Sequence, residues 1–213
     1  MMNAAFVVFA ASAVFAGSVG LLVARRVETS VLLLSIQGVA LTIMVLTTSP
    51  LNLSQVALGL VTLVIKAGLI PGVMYRLLRE WPLEYRRDGV LPAWAFVAGA
   101  VLLLTVTHTI RLLTPTGIVL HTSLFFYGLS SIYLNLLQMI SRRHVLSQVG
   151  ALVAAENGFV ILAASVAGDL PMFMELGMLV DVSVAALILV WLSRLVHGKF
   201  NTTDVTTLRF LRR

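Results

Sequence analysis

The sequence predicts an all-α, polytopic membrane protein of about seven transmembrane helices. Three observations carry that reading. Hydrophobic residues make up 59% of the 213-residue chain and charged residues only 11%, against roughly a quarter charged in soluble chains. The mean hydropathy is +1.01. The apolar residues fall in continuous runs of bilayer length rather than in the alternation of a β-barrel. A soluble enzyme with its own core and an intrinsically disordered chain are both excluded.

The spans follow in order. Ala4–Ala24 is apolar throughout. It lacks a basic leader, and Arg25-Arg26 follows it, so it reads as a retained helix and not as a signal peptide. Ser30–Thr48 comes next and stops at Ser49-Pro50-Leu51-Asn52. Gln55–Leu78 contains Lys66 and, five residues on, Pro71. Pro92–Leu113 ends at Thr114-Pro115-Thr116-Gly117, a helix-stop cluster. Val119–Ser141 and Val145–Ala167 are separated by Arg142-Arg143-His144. Gly168-Asp169-Leu170-Pro171 then precedes Met172–Val196. Ala151, Ala155 and Gly158 form a small-residue face expected to pack on another helix.

Seven crossings sort the loops by charge. Thirteen of the 15 basic residues fall on one side, from Arg25 and Arg26 through Arg86 and Arg87 to Arg212 and Arg213. The positive-inside rule makes that side cytoplasmic, with the N-terminus outside. The net charge of +6 is therefore read as loop charge rather than as a nucleic-acid surface. An offset of 118 residues aligns Arg25 with Arg143, Gly59 with Gly177 and Arg76 with Arg194, which suggests a parallel three-helix repeat. The organisation expected is a three-helix unit over 1–91, a connector helix over 92–118, a second three-helix unit over 119–196 and a basic cytoplasmic tail over 197–213.

Ionisable groups inside spans are the candidate functional residues, because each costs about 2.5–3.5 kcal/mol at a span centre. Lys66, Glu156 and Asp181 all fall roughly 14–16 Å from a span end at about 1.5 Å per residue, which places a lysine and two carboxylates near one depth. Such a set can relay protons. Glu175 sits shallower on a different helix face. His108 and His121, near outer span ends, and Asn157, beside Glu156, are weaker relay candidates. Pro71 cannot donate to the Ala67 carbonyl, and Gly68 and Gly72 flank the same turn, so the third helix is expected to be kinked or broken beside Lys66. The alternative for Lys66 with a carboxylate is a static salt bridge that orients helices. No cysteine is present, and no spacing supports a metal site, a nucleophile triad or a phosphate loop. Retinal is disfavoured because the last span has no lysine.

The stretch from Arg142 to Gly158, with Glu156-Asn157-Gly158, resembles the E-type component of group 4 membrane-bound hydrogenases and formate hydrogenlyase-type complexes. So do Leu170 to Asp181, with Glu175 and Asp181 flanking five residues, Leu33 to Gly38, and Lys66 to Pro71. The last three spans also resemble the K-type subunit of complex I and the C-type subunit of Mrp antiporters. These carry an acidic residue in each of two helices, matched here by Glu156 and Asp181. The resemblance implies a non-catalytic membrane-arm subunit of a hetero-oligomeric, ion-translocating assembly in the inner (cytoplasmic) membrane. It implies antiporter-like large membrane subunits and a peripheral redox module as partners. Iron–sulfur clusters or other metal centres would sit in those partners and no cofactor in this chain. A free-standing ion transporter or channel, and a purely structural membrane spacer, are the alternatives.

Overall fold

The computed structural model describes residues 4–48, 52–80, 88, 99, 121–167, 180–181, 183–192, 194 and 195. All regular structure among them is helical, apart from single bridge residues at Arg26 and His144. The helices are α1 (Ala4–Val23), α2 (Val27–Thr48), α3 (Leu53–Thr62), a π-helical segment (Leu63–Leu69), α4 (Ile70–Glu80), α5 (Thr122–Ser141) and α6 (Val145–Ala167). A shorter apolar helix, α7, covers Ser183–Leu192. α3, the π segment and α4 form one continuous rod, so five helices are long and apolar enough to cross a membrane. The chain is a membrane protein by that measure.

Predicted and observed ends differ by a turn or less. α2 begins at Val27, ahead of Ser30, with Glu28 in its first turn, where a carboxylate favours the positive helix end. α5 begins at Thr122 after His121, and α6 runs over the range expected. The fourth expected span, 92–113, lies outside the described residues except for Gly99, and so does the tail 197–213. Of the seventh span, 172–196, α7 and a few flanking residues are described.

The third helix is widened beside Lys66 and continues without a break. Pro71 has no amide to offer Ala67. The backbone shifts to the wider pattern, with the Ile70 amide reaching the Ile65 carbonyl. The Ala67 carbonyl instead accepts from the Ser35 hydroxyl at 2.6 Å. This widened turn lies against α2 at Gly38, where an added Cβ would come within 2.7 Å of the Lys66 carbonyl carbon. Only glycine permits that approach. α5 and α6 pack closely through Gly128 and Gly158, which meet Leu162 and Ile132 respectively. Ala151 and Ala155 of the same small-residue face are buried.

The interior is layered. One apolar cluster joins Leu21, Val31 and Leu34 to Met74, Leu78, Leu146, Val153 and Val190 near the Arg25 and Arg142 loops. A second joins Ala10, Val14, Leu41, Met44, Leu124 and Ile161 toward the opposite helix ends. Between them in register lie the buried polar residues Ser18, Gln37, Lys66, Asn135, Glu156 and Asn157. The outward surface carries Phe9, Leu32, Leu60, Val64 and Ile140. Apolar outside and polar at mid-height is the arrangement lipid selects.

Candidate functional site

The π-helical turn and α6 bring Lys66 and Glu156 together. The Lys66 ammonium donates to Glu156 Oε2 and, at 2.8 Å, to Asn157 Oδ1. Lys66 is 2% exposed, Glu156 5% and Asn157 0%, so the pair is screened by protein rather than by water. In a low-dielectric interior such a pair is favoured by further hydrogen bonds to its remaining atoms. Asn157 supplies one of them and continues outward, its Nδ2 donating to Gln37 Oε1 at 3.5 Å. Gln37 Nε2 donates to the Val14 carbonyl at 2.9 Å and to Ser18 Oγ at 3.0 Å. Ser18 Oγ also accepts from Asn135 Nδ2 at 3.0 Å. One hydrogen-bonded chain therefore links the π turn, α6, α2, α1 and α5. Gly17 makes room for it, since a Cβ there would lie 2.5 Å from Gln37 Cγ.

The chain is not saturated by protein groups. Glu156 Oε1, Ser131 Oγ, Asn135 Oδ1 and both amide atoms of Gln138 are buried without a protein hydrogen-bond partner among the described residues. Such groups are exceptions in folded proteins and ask for a reason.

A second polar group closes the loop end. Arg142 is 3% exposed. Its Nη2 donates to the Leu21 and Leu22 carbonyls at 3.0 and 2.7 Å, two acceptors left open at the C-terminus of α1. Asp88 lies 4.0 Å from its Nη1. Burial pulls the Arg142 guanidinium below its ordinary value, with Asp88 opposing, and arginine stays charged throughout. Gln148 Nε2 donates to the Arg142 carbonyl at 2.7 Å, and His144 Nδ1 accepts from the Leu146 amide at 3.2 Å.

The sequence candidates fall in three places. Lys66, Glu156 and Asn157 meet. Asp181 is exposed on the surface of the chain, just before α7, and takes no part in the hydrogen bonds of the pair among the described residues. His121 is exposed at the start of α5, where its amide donates to the Ser165 carbonyl. Glu175 and His108 lie outside the described residues. Sequence reasoning passed over Ser18, Gln37, Asn135 and Gln138. A signal existed: Ser131, Asn135, Gln138 and Arg142 recur at i, i+4, i+7 and i+11, one helical stripe within an apolar span. Among the described residues, no group of three or more His, Asp or Glu could hold a metal ion.

The chain is similar to the protein named hydrogenase-4 component E in Escherichia coli (strain K12), with 28% identity over 151 residues, 69% of this chain and 68% of that protein. Proteins of the same name from Escherichia coli O157:H7 and Shigella flexneri match to the same extent. No family model matches the chain, and no solved structure does.

Proposed function

We propose that the chain is a non-catalytic membrane subunit of a hydrogenase-like, multi-subunit assembly, and that its Lys66–Glu156 pair takes part in proton or sodium translocation. Redox chemistry in partner subunits would drive it. The observation that carries the reading is a buried lysine–glutamate pair in hydrogen-bonded continuity across five helical segments. The similarity to hydrogenase-4 component E supports the hydrogenase-like setting. A proton arriving on Glu156 removes the anion that holds Lys66 and leaves a net positive charge in a low-dielectric layer. Expelling a proton from that layer restores the neutral pair. Coupling follows if a neighbouring charge decides the side of exit.

The finer reading has seven spans, the N-terminus outside and the basic loops cytoplasmic, in the inner membrane. The first three and the last three spans descend from one duplicated three-helix unit, and the last three correspond to the complex I K-type and Mrp C-type subunits. Antiporter-like membrane subunits flank the chain. Asp181 supports a flanking partner, because a carboxylate on a span surface is costly against lipid and acceptable against protein. Asp181 then relays ions at that boundary, with Glu175 a further relay carboxylate.

The test purifies a tagged chain in mild detergent, identifies what accompanies it, and reconstitutes the complex into vesicles. Large ion-translocating subunits with a metal-cluster module are expected. Glu156→Gln should abolish ion movement while the complex still assembles. Unaltered movement overturns the relay, and a chain that purifies alone and carries ions by itself overturns the subunit reading.

A further inference from the structure

We propose that Lys66 makes its pair selective for protons: its ammonium is a tethered cation in the place that a sodium ion would take between Glu156 and Asn157. This rests on the proposed role of the pair and names the ion it carries.

The first observation is who holds the oxygens. Lys66 Nζ donates to Glu156 Oε2 and to Asn157 Oδ1 at 2.8 Å. A carboxylate and an amide carbonyl are the oxygens a hard cation selects, and here the ammonium has both. The Lys66 backbone is seated against Gly38, where an added Cβ would meet its carbonyl carbon at 2.7 Å, and the residue is buried. The fold itself therefore keeps this cation in place.

The oxygens nearby are committed as well. Ser18 Oγ accepts from two amides and donates to the Val14 carbonyl at 3.1 Å. Gln37 Oε1 faces the Asn157 amide, and the Ala67 carbonyl accepts from Ser35. The other described acids stand elsewhere, Glu28 in the first turn of α2, Asp88 beside Arg142 and Asp181 on the surface. Within the Lys66, Glu156 and Asn157 group, Glu156 Oε1 is the one side-chain atom without a protein partner among the described residues.

Either ion, once added, leaves one net positive charge on the group, so charge does not decide between them. Coordination does. A proton needs one lone pair: an O–H bond forms at Oε1 and breaks when the proton leaves, with nothing oxidised or reduced. A sodium ion must exchange its shell of water for oxygens on several sides at once, and one open oxygen is not a shell.

The first measurement needs no turnover and uses the full chain in detergent. Lys66→Ala removes the tethered cation and leaves Glu156 and Asn157 facing the emptied space. Sodium chloride in place of equal choline chloride should then raise the unfolding midpoint by about 2–4 °C. The unaltered chain should shift by less than about 1 °C, and so should Lys66→Ala combined with Glu156→Gln. A sodium shift in the unaltered chain as large as in Lys66→Ala overturns the selectivity, and so does the lack of any shift in Lys66→Ala. The second measurement uses the complex that purifies with the tagged chain, in vesicles. Proton movement should agree within about twofold in sodium and in choline, and Glu156→Gln should stop it. Movement that is lost in Glu156→Gln but requires sodium overturns the selectivity and spares the proposed function. Movement unaltered in Glu156→Gln overturns the proposed function as well.

Discussion

The α1–α2 and α5–α6 hairpins share one backbone plan and fill it oppositely. An offset of 118 carries Ala4–Val23 onto Thr122–Ser141 and the start of α2 at Val27 onto the start of α6 at Val145. The turns correspond too. The Ala24 amide donates to the Gly20 carbonyl as that of Arg142 does to Gln138, and Ser30 to Arg26 as Gln148 to His144. Yet the second hairpin has Asn135, Gln138, Arg142 and Glu156 where the first has Gly17, Gly20, Ala24 and Gly38. The first hairpin receives its neighbours: Gly17 admits the Gln37 side chain, Gly20 that of Leu33, and Gly38 the Lys66 backbone. The second supplies the carboxylate and the Asn135, Gln138 and Asn157 amides, to which the first adds only Gln37 and Ser18. One geometry thus serves mainly as a cradle in one hairpin and mainly as a source of polar groups in the other.

The sharpest way to break that division is to remove the charge from the second hairpin alone. Glu156→Ala leaves Lys66 buried without its counter-charge and should destabilise the chain by about 3–5 kcal/mol, read by thermal unfolding in detergent. Arg142→Met removes a charged donor from the α1 carbonyls and should cost about 1.5–3 kcal/mol, whereas Ala24→Ser at the corresponding turn should stay within about 0.5 kcal/mol. Equal losses in the two would contradict the asymmetry. Gly38→Ala should cost about 1–3 kcal/mol by pushing the Lys66 turn away, visible as a shifted unfolding midpoint. A neutral result would mean that the π turn does not need α2. His121→Ala, at an exposed helix start, should change stability by less than about 0.5 kcal/mol and leave ion movement intact.

Much of this was legible in the sequence because lipid leaves so few choices. Continuous apolar runs marked the five described spans, and Val145–Ala167 was placed to the residue. Scarcity of charge singled out Lys66 and Glu156, which the structure joins. Pro71 predicted a disturbance beside Lys66, but its form depended on neighbours. Ser35 takes up the freed carbonyl and Gly38 gives the wider turn its space, and both lie some thirty residues away in the chain. The amides of Gln37, Asn135 and Gln138 were harder to see. An uncharged amide costs less to bury than a charge, and its meaning appears only when facing helices bring such groups into hydrogen-bonding distance. Asp181 illustrates the opposite limit, since its place in the sequence did not say which face of the helix it would occupy.

The most direct test of the Lys66–Glu156 pair separates its charge from its packing. The double substitution Lys66→Met with Glu156→Met fills the site without leaving an unpaired charge, and such replacements of buried pairs are commonly neutral or stabilising. The reconstituted complex carrying it should assemble and unfold like the unaltered protein, and should move no ions across the vesicle membrane. Ion movement at the unaltered rate would show that the pair is a structural pin and would contradict its role in translocation.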